Sequence, residues 1–394
     1  MSDPGPMEGG GPLEKALRDL ARMLTSQGPI NWEFARQLAL MTANEGEAET
    51  NPDPLARVRL EELLRVAELH VEQATGLPLS SSGGLLSVLA VTRSDWALRT
   101  LQAWKPLLET LATALARSTT DQVLPDELGL DPMARLLGNL PQAMGPLLFG
   151  IQVGSMVGQL ATRALGQYDL PVPRPPGDQL LMVPVAIDGF AQDWSLATDD
   201  VRLWVCLHEV AHHAVLSRPH VRARLDELMT KYVNAFQPDS TALEDRLAAF
   251  DPTDMASLQQ TFSNPEVLLG EMETPEQREI MVPLSALLSA VVGYVDHVMD
   301  TVGHRLIASY DPLTEAMRRR RLDGGEGARF VARLLGVSLD SAAYERGTAF
   351  VAGVLERSGE EGLARLWHSA KELPTPAEVA APGLWLARID LPDD

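Results

Sequence analysis

The stretch Leu203-Trp204-Val205-Cys206-Leu207-His208-Glu209-Val210-Ala211-His212-His213-Ala214-Val215-Leu216 constrains this chain more than any other. It is apolar enough to be buried, and its apolar residues recur at helical spacing. On a helix His208 and His212 stand one turn apart, so both imidazoles leave one face. That spacing lets both reach one ion at about 2.0–2.1 Å. Glu209, one residue along, is displaced too far to ligate but reaches a water beside such an ion. Thr198 is a candidate N-cap, and Asp199 and Asp200 put carboxylates in the first turn, where the helix dipole favours them. Ser217-Arg218-Pro219 ends the helix. The competing reading is a buried helix whose histidines are satisfied by carbonyls. It suits a lone His better than this cluster, which is costly to bury unless paired or bound to metal.

The chain has 394 residues, 45% hydrophobic and 22% charged, enough for a large core or two domains. Its net charge of −21 argues against a nucleic-acid partner and against anionic membrane surfaces. The single cysteine, Cys206, excludes an internal disulfide and fits a reducing cytoplasm. It lies about 200° round the helix from His208, off the ligand face. Residues 1–12 are rich in Gly and Pro, with acidic residues and no apolar core. They read as a disordered tail rather than a signal peptide.

Periodicity predicts an all-α fold, zincin-like in its His-Glu-x-x-His helix, with at most a short edge strand or hairpin before that helix. The expected organisation is a helical region over 13–170, the extended connector Asp169–Asp178, and a helical catalytic region over 178–394. Helices are expected over Pro12–Ser26, from Asn31, and over Pro54–Thr75, Ser94–Arg117, Val221–Phe236, Ala242–Phe250, Asp254–Phe262 and Met281–Ile307, with more to the C-terminus. Leu136–Thr162 contains no charged residue, so a membrane span must be weighed. Pro141, Pro146, Gln142, Gln152 and Gln159 speak against it. Gly150, Gly154 and Gly158 give one face almost no side chain, which suits a buried helix with a close neighbour. Leu180–Ile187 is the one convincing strand, and Pro184 makes it an edge that could pair with an extended peptide or cover a core.

Two histidines do not complete a zinc site, and a third protein ligand is expected with water in the fourth place. The extended form with a glycine and a third histidine fails, because Val215 and Arg218 stand at those places. The best source is the polar stripe on Met281–Ile307, with Asp296 and His297 at its centre beside Gly293. Asp296 is slightly favoured, and the acidic residues Glu271, Glu273 and Glu276 are the rival source. Asp300, His304, Tyr294 and His213 are candidates for supporting or substrate-facing roles.

The chain resembles the actinobacterial zincin-like metallopeptidases of the second type, usually labelled zinc-dependent metalloprotease, hydrolase or coenzyme F420 biosynthesis-associated protein. The likeness is carried by Asn31-Trp32 with Ala35-Arg36, by Phe149-Gly150-x-Gln152-x-Gly154-x-x-x-Gly158-Gln159-Leu160-Ala161, and by Gln167-Tyr168-Asp169-Leu170-Pro171. His208-Glu209-x-x-His212 and Gly293-x-x-Asp296-x-x-Met299-Asp300 complete it. The resemblance implies a helical zincin with Zn2+ on the two motif histidines and Glu209 as base. In similar sequences a Glu precedes the glycine of the last motif. Here Val292 stands there, so Asp296 or His297 must serve or the site is lost.

The resulting expectation is a cytoplasmic zinc metallohydrolase acting on a peptide or small amide, with no nucleic-acid or membrane partner. His208, His212 and Asp296 or His297 hold the metal, and Glu209 deprotonates water. The alternatives are a degenerate zincin that binds a peptide or protein without cleaving it, and a helical protein that zinc merely staples.

Overall fold

In this computed structural model, residues 28–80, 82–120, 132–236 and 274–391 are described. The expected helices Pro12–Ser26, Ala242–Phe250 and Asp254–Phe262, and Glu271 and Glu273, lie outside them.

The helices start and stop where local chemistry says they should. Helix α1 (Trp32–Ala43) follows Asn31, whose side chain accepts from Phe34 N. In α2 (Pro54–Thr75) Asp53 caps the start, Pro54 sits in the first turn, and Gly76 closes the end at φ 64°. Then come α3 (Arg93–Thr120) and α4 (Pro132–Arg163), α5 (Pro184–Asp193), α6 (Thr198–Leu216) and α7 (Pro219–Asn234). Helix α8 (Pro275–Leu306) opens with a reciprocal capping box between Thr274 and Gln277. The chain ends through α9 (Tyr310–Leu322), α10 (Gly325–Leu335), α11 (Ser341–Ala364), α12 (Pro376–Ala380) and α13 (Pro382–Ile389).

The fold is mainly helical, as expected, but two strand details differ. Strand β2 covers only Gln179–Met182, and it pairs in parallel with β1 (Ser87–Ala90), Val88 opposite Leu180. Pro184 does not end an edge strand; it opens α5, where its missing N–H costs nothing. Strand β1 lies in Leu85–Val91, an apolar run too short for its period to be read. Thr198 is also not a cap. It is the first residue of α6, behind Ala197, whose side chain caps nothing.

The glycine face of α4 meets α1. A Cβ at Gly150 would come within 2.6 Å of the Asn31 carbonyl oxygen, and one at Gly154 would overlap that of Ala35. A second such seam joins α8 to α11, where Gly293 and Gly347 touch backbone to backbone. Helix α6 is wrapped by α2, α5 and α8, and every side chain from Leu203 to Leu216 is buried. One continuous cluster of buried apolar side chains runs from Ile30 to Trp385, drawing on both sides of the 169–178 connector. Among the described residues α8 alone is long and apolar enough to cross a membrane, and 61% of its most apolar window is buried inside the protein.

Gly154→Ala is therefore expected to cost about 1–3 kcal/mol by overpacking. Gly145→Ala, in the same helix with open space around it, should be neutral or stabilising by up to about 1 kcal/mol. Urea unfolding of the two variants checks the contrast.

Candidate metal centre

The site is built by α6 and by the loop that follows α4. That loop is tied at several points. Asp169 Oδ2 accepts from Leu165 N at 2.6 Å and Gly166 N at 3.3 Å, and its Oδ1 accepts from Arg320 at 3.0 Å. The Trp96 indole donates to Gly166 O at 2.7 Å. Val183 N donates to Leu165 O at 2.9 Å, which binds the loop to the end of β2. So held, the loop turns two backbone N–H groups toward α6. Glu209 Oε2 accepts from Gln167 N at 2.8 Å and from Tyr168 N at 3.0 Å. Its other oxygen, Oε1, has a longer bond to Tyr168 N at 3.2 Å and lies 3.5 Å from His208 Nδ1. Gly166 lies against this carboxylate so closely that any side chain there would displace it.

The two motif histidines stand face to side on α6, ring centroids 4.3 Å apart. Trp204 stacks on His208 at 5.0 Å and Tyr168 on His212 at 6.0 Å, so four rings form a row. His212 Nδ1 lies 3.1 Å from the His208 carbonyl oxygen. That oxygen only accepts, so Nδ1 carries the proton and the lone pair is left on Nε2. Tyr168 OH and His213 Nδ1 are 3.0 Å apart, and among the described residues the buried His213 Nε2 has no partner.

Burial sets the protonation states. It drives His208 well below the ordinary imidazole value, with His212, Arg321 and Arg320 adding to the effect. It lowers His212 and His213 to about 4. It holds the Glu209 carboxyl well above the usual range, helped by the nearby charge of Asp169 and opposed by the two amides. The result at neutral pH is a pair of neutral imidazoles beside a carboxyl with a raised hold on its proton. Burial also raises the Cys206 thiol, which sits by the Leu60 carbonyl and Met182, away from these rings.

Helices α6 and α8 are neighbours, as expected, but the polar stripe of α8 is engaged elsewhere. Asp296 pairs with Arg321 at 3.2 Å. His297 Nε2 meets Glu360 at 3.2 Å. Asp300 accepts from Tyr310 OH at 2.8 Å, His304 lies 3.2 Å from Asp311, and Tyr294 packs edge-on against Trp367. Glu276 is exposed in the first turn of α8. Among the described residues no third His, Cys, Asp or Glu joins His208 and His212 in one group. The reason is directional. Gly293 makes room for Gly347 of α11, not for an ion, and His297, one turn on, faces the same helix and finds its Glu360. Asp296 does approach α6, but through Arg321, whose guanidinium lies 5.8 Å over the Trp204 ring.

Sequence reading missed the 164–170 loop as part of the site. Gln167-Tyr168-Asp169 stands out in the sequence only as a family likeness, because a main-chain donor leaves no mark on residue type. Gly166 was the available signal.

The family model for zincin-like metallopeptidases matches residues 30–386. The chain belongs to that family. A crystal structure from Chloroflexus aurantiacus, described as a "putative hydrolase with a novel fold", is similar to this chain at a TM-score of 0.60 and 26% identity. The match covers 92% of this chain and 100% of that one. No curated protein matches. Membership implies a metal. The residues present fit one in part, since two neutral imidazoles on one helix face, one with its Nε2 lone pair free, are the donors such an ion takes. The described residues do not supply the third.

The protonation states predict a pH response. His213 titrates near 4 when folded and near 6.5 when unfolded, so the unfolded chain binds more protons in that window. Its contribution to stability is complete above pH 6.5 and is lost as pH falls toward 4, at about 1.4 kcal/mol per pKa unit. Metal-free wild type should therefore lose stability relative to His213→Gln as pH drops from 6.5 to 4. Parallel melting profiles for the two proteins would contradict this.

Proposed function

We propose that the protein is a zinc-dependent hydrolase of the amide bond, most simply a peptidase, working in the cytoplasm. The observation that carries this is the juxtaposition of His208 and His212, neutral and convergent, with the Glu209 carboxyl one residue along and 3.5 Å from His208. Zinc, when bound by the two imidazoles, supplies Lewis acidity toward a carbonyl and toward water. The chain's own groups do the rest. His212 is held in one tautomer by the His208 carbonyl, and Trp204 and Tyr168 fix the ring planes from either side. Glu209 keeps Oε2 anchored on two amides and presents Oε1, the oxygen with spare acceptor capacity. Because burial strengthens its hold on a proton, Glu209 is suited to take one from water at Oε1 and return it to a leaving amine. His213, with Nε2 unpartnered, supplies a donor or acceptor close by.

One observation favours the binding-only reading. Glu209 is committed to the main chain of the loop, and a carboxylate so held also serves simply to shape it. Glu209→Gln separates the two. In an enzyme it keeps about one zinc per chain and loses amide hydrolysis by roughly 10²-fold or more; in a binder it changes no turnover because there is none. His208→Ala should lose most of the zinc. Asp296→Ala should keep it, because Asp296 is spent on Arg321; zinc loss in that variant would make Asp296 a ligand after all. Metal analysis by mass spectrometry, with turnover of a mixed peptide library, reads all three.

A further inference from the structure

The acidic chain carries a basic cavity that shares a wall with the loop holding Glu209. The cavity holds about 860 Å³, within the range of ligand pockets. Five arginines line it: Arg163, Arg320, Arg321, Arg329 and Arg333. Among the described residues two carboxylates stand against them, Asp169 and Asp340, with no lysine or glutamate. Asp169 is matched by Arg320, and Asp340 caps α11 by accepting from Ala343 N. Arg321 is matched by Asp296 from outside the cavity.

Arg163 differs. It donates to the main-chain carbonyls of Asp323 at 2.8 Å and Arg320 at 3.4 Å. Those are dipoles, and among the described residues its charge meets no anion. Arg329 is exposed and makes no ion pair among the described residues. In a chain of net charge −21 this leaves a concave surface of opposite sign, which concentrates field and attracts anions. Trp96, Leu160 and Tyr344 add apolar wall, and the buried Trp104 indole N–H there has no acceptor among the described residues.

The cavity also shares structure with the site. Gln167 and Asp169, whose loop holds Glu209, are part of its wall. Arg163 and Arg320 continue into an adjoining cleft that carries Arg93 and Arg319 together with Asp193 and Asp323.

We propose that this cavity binds the carboxylates of an acidic peptide, with Arg163 and Arg329 as the anion-binding residues. The proposal rests on the hydrolase reading above and names its substrate class. Guanidinium forks match carboxylate geometry, and the apolar wall suits side chains between the acidic ones. A long polyanion such as nucleic acid would meet the negative exterior instead.

The test uses full-length protein treated with chelator, so that neither metal nor turnover enters and its outcome is separate from the role of Glu209. A fluorescein-labelled oligoglutamate and its oligoglutamine counterpart are titrated by anisotropy. The oligoglutamate should bind at least about tenfold more tightly, and less so as salt rises. Arg163→Gln with Arg329→Gln should cost about tenfold or more in that affinity, while Arg36→Gln, a distant exposed arginine paired with Glu33, should leave it unchanged. Unaltered thermal melting shows the double variant is folded; should it not fold, each single variant is measured alone. Equal affinity for the two peptides, wild-type binding by the folded variant, or tighter binding of an oligothymidylate of the same charge would each overturn the proposal.

Discussion

The structure depends on two backbone N–H groups, those of Gln167 and Tyr168, that hold a fully buried carboxylate. Burying Glu209 without donors would cost several kcal/mol and would drive the α6 cluster toward solvent. The donors exist because the loop carrying them has nowhere else to send its polar groups: Asp169 takes its preceding amides, Trp96 its carbonyl, and β2 its entry. The Trp96 indole, the β1–β2 pair and the Arg320–Asp169 bridge all serve to aim those two donors. The small parallel sheet is therefore less a fold-defining feature than an anchor for one turn of the main chain.

Charge is organised around the same point. Burial depresses the protonation of the two histidines, Arg321 adds to it at both and Arg320 at His208, and each arginine is paired with a carboxylate, Asp169 on the loop and Asp296 on α8. Asp296 thus shapes the environment of His208 through a guanidinium stacked over Trp204, at one remove. Burial keeps the imidazoles neutral and the two arginines reinforce it, while both also line the basic cavity.

The helical architecture and the placement of His208, Glu209 and His212 on one buried helix were legible in the sequence, because 3.6-residue periodicity writes itself into residue type. The glycine face of α4 was legible for the same reason, and it found its close neighbour in α1. The polar stripe of α8 was harder. Gly293, Asp296 and His297 lie within about one turn, yet they point to three partners: Gly347, Arg321 and Glu360. Spacing tells which residues share a face and not which helix that face meets. Strand β1 and the extent of β2 escaped because runs so short carry no period, and Pro184 reads equally well as an edge or as the first turn of a helix. The amide donors to Glu209 were invisible in principle, since every residue has one.

The two seams where backbone meets backbone, α1 on α4 and α8 on α11, have a consequence for how this protein can change. A contact between side chains can drift, because a larger residue on one side is offset by a smaller one opposite. A contact between main chains has no such partner to adjust. The loop that holds Glu209 leaves directly from the end of α4, and Asp296 rides on α8, so both sides of the site are hung from joints that admit no compensating substitution. Substitutions are therefore expected to be tolerated more readily in the outer helices than along these two seams, on which the spacing between the carboxylate and the two rings depends.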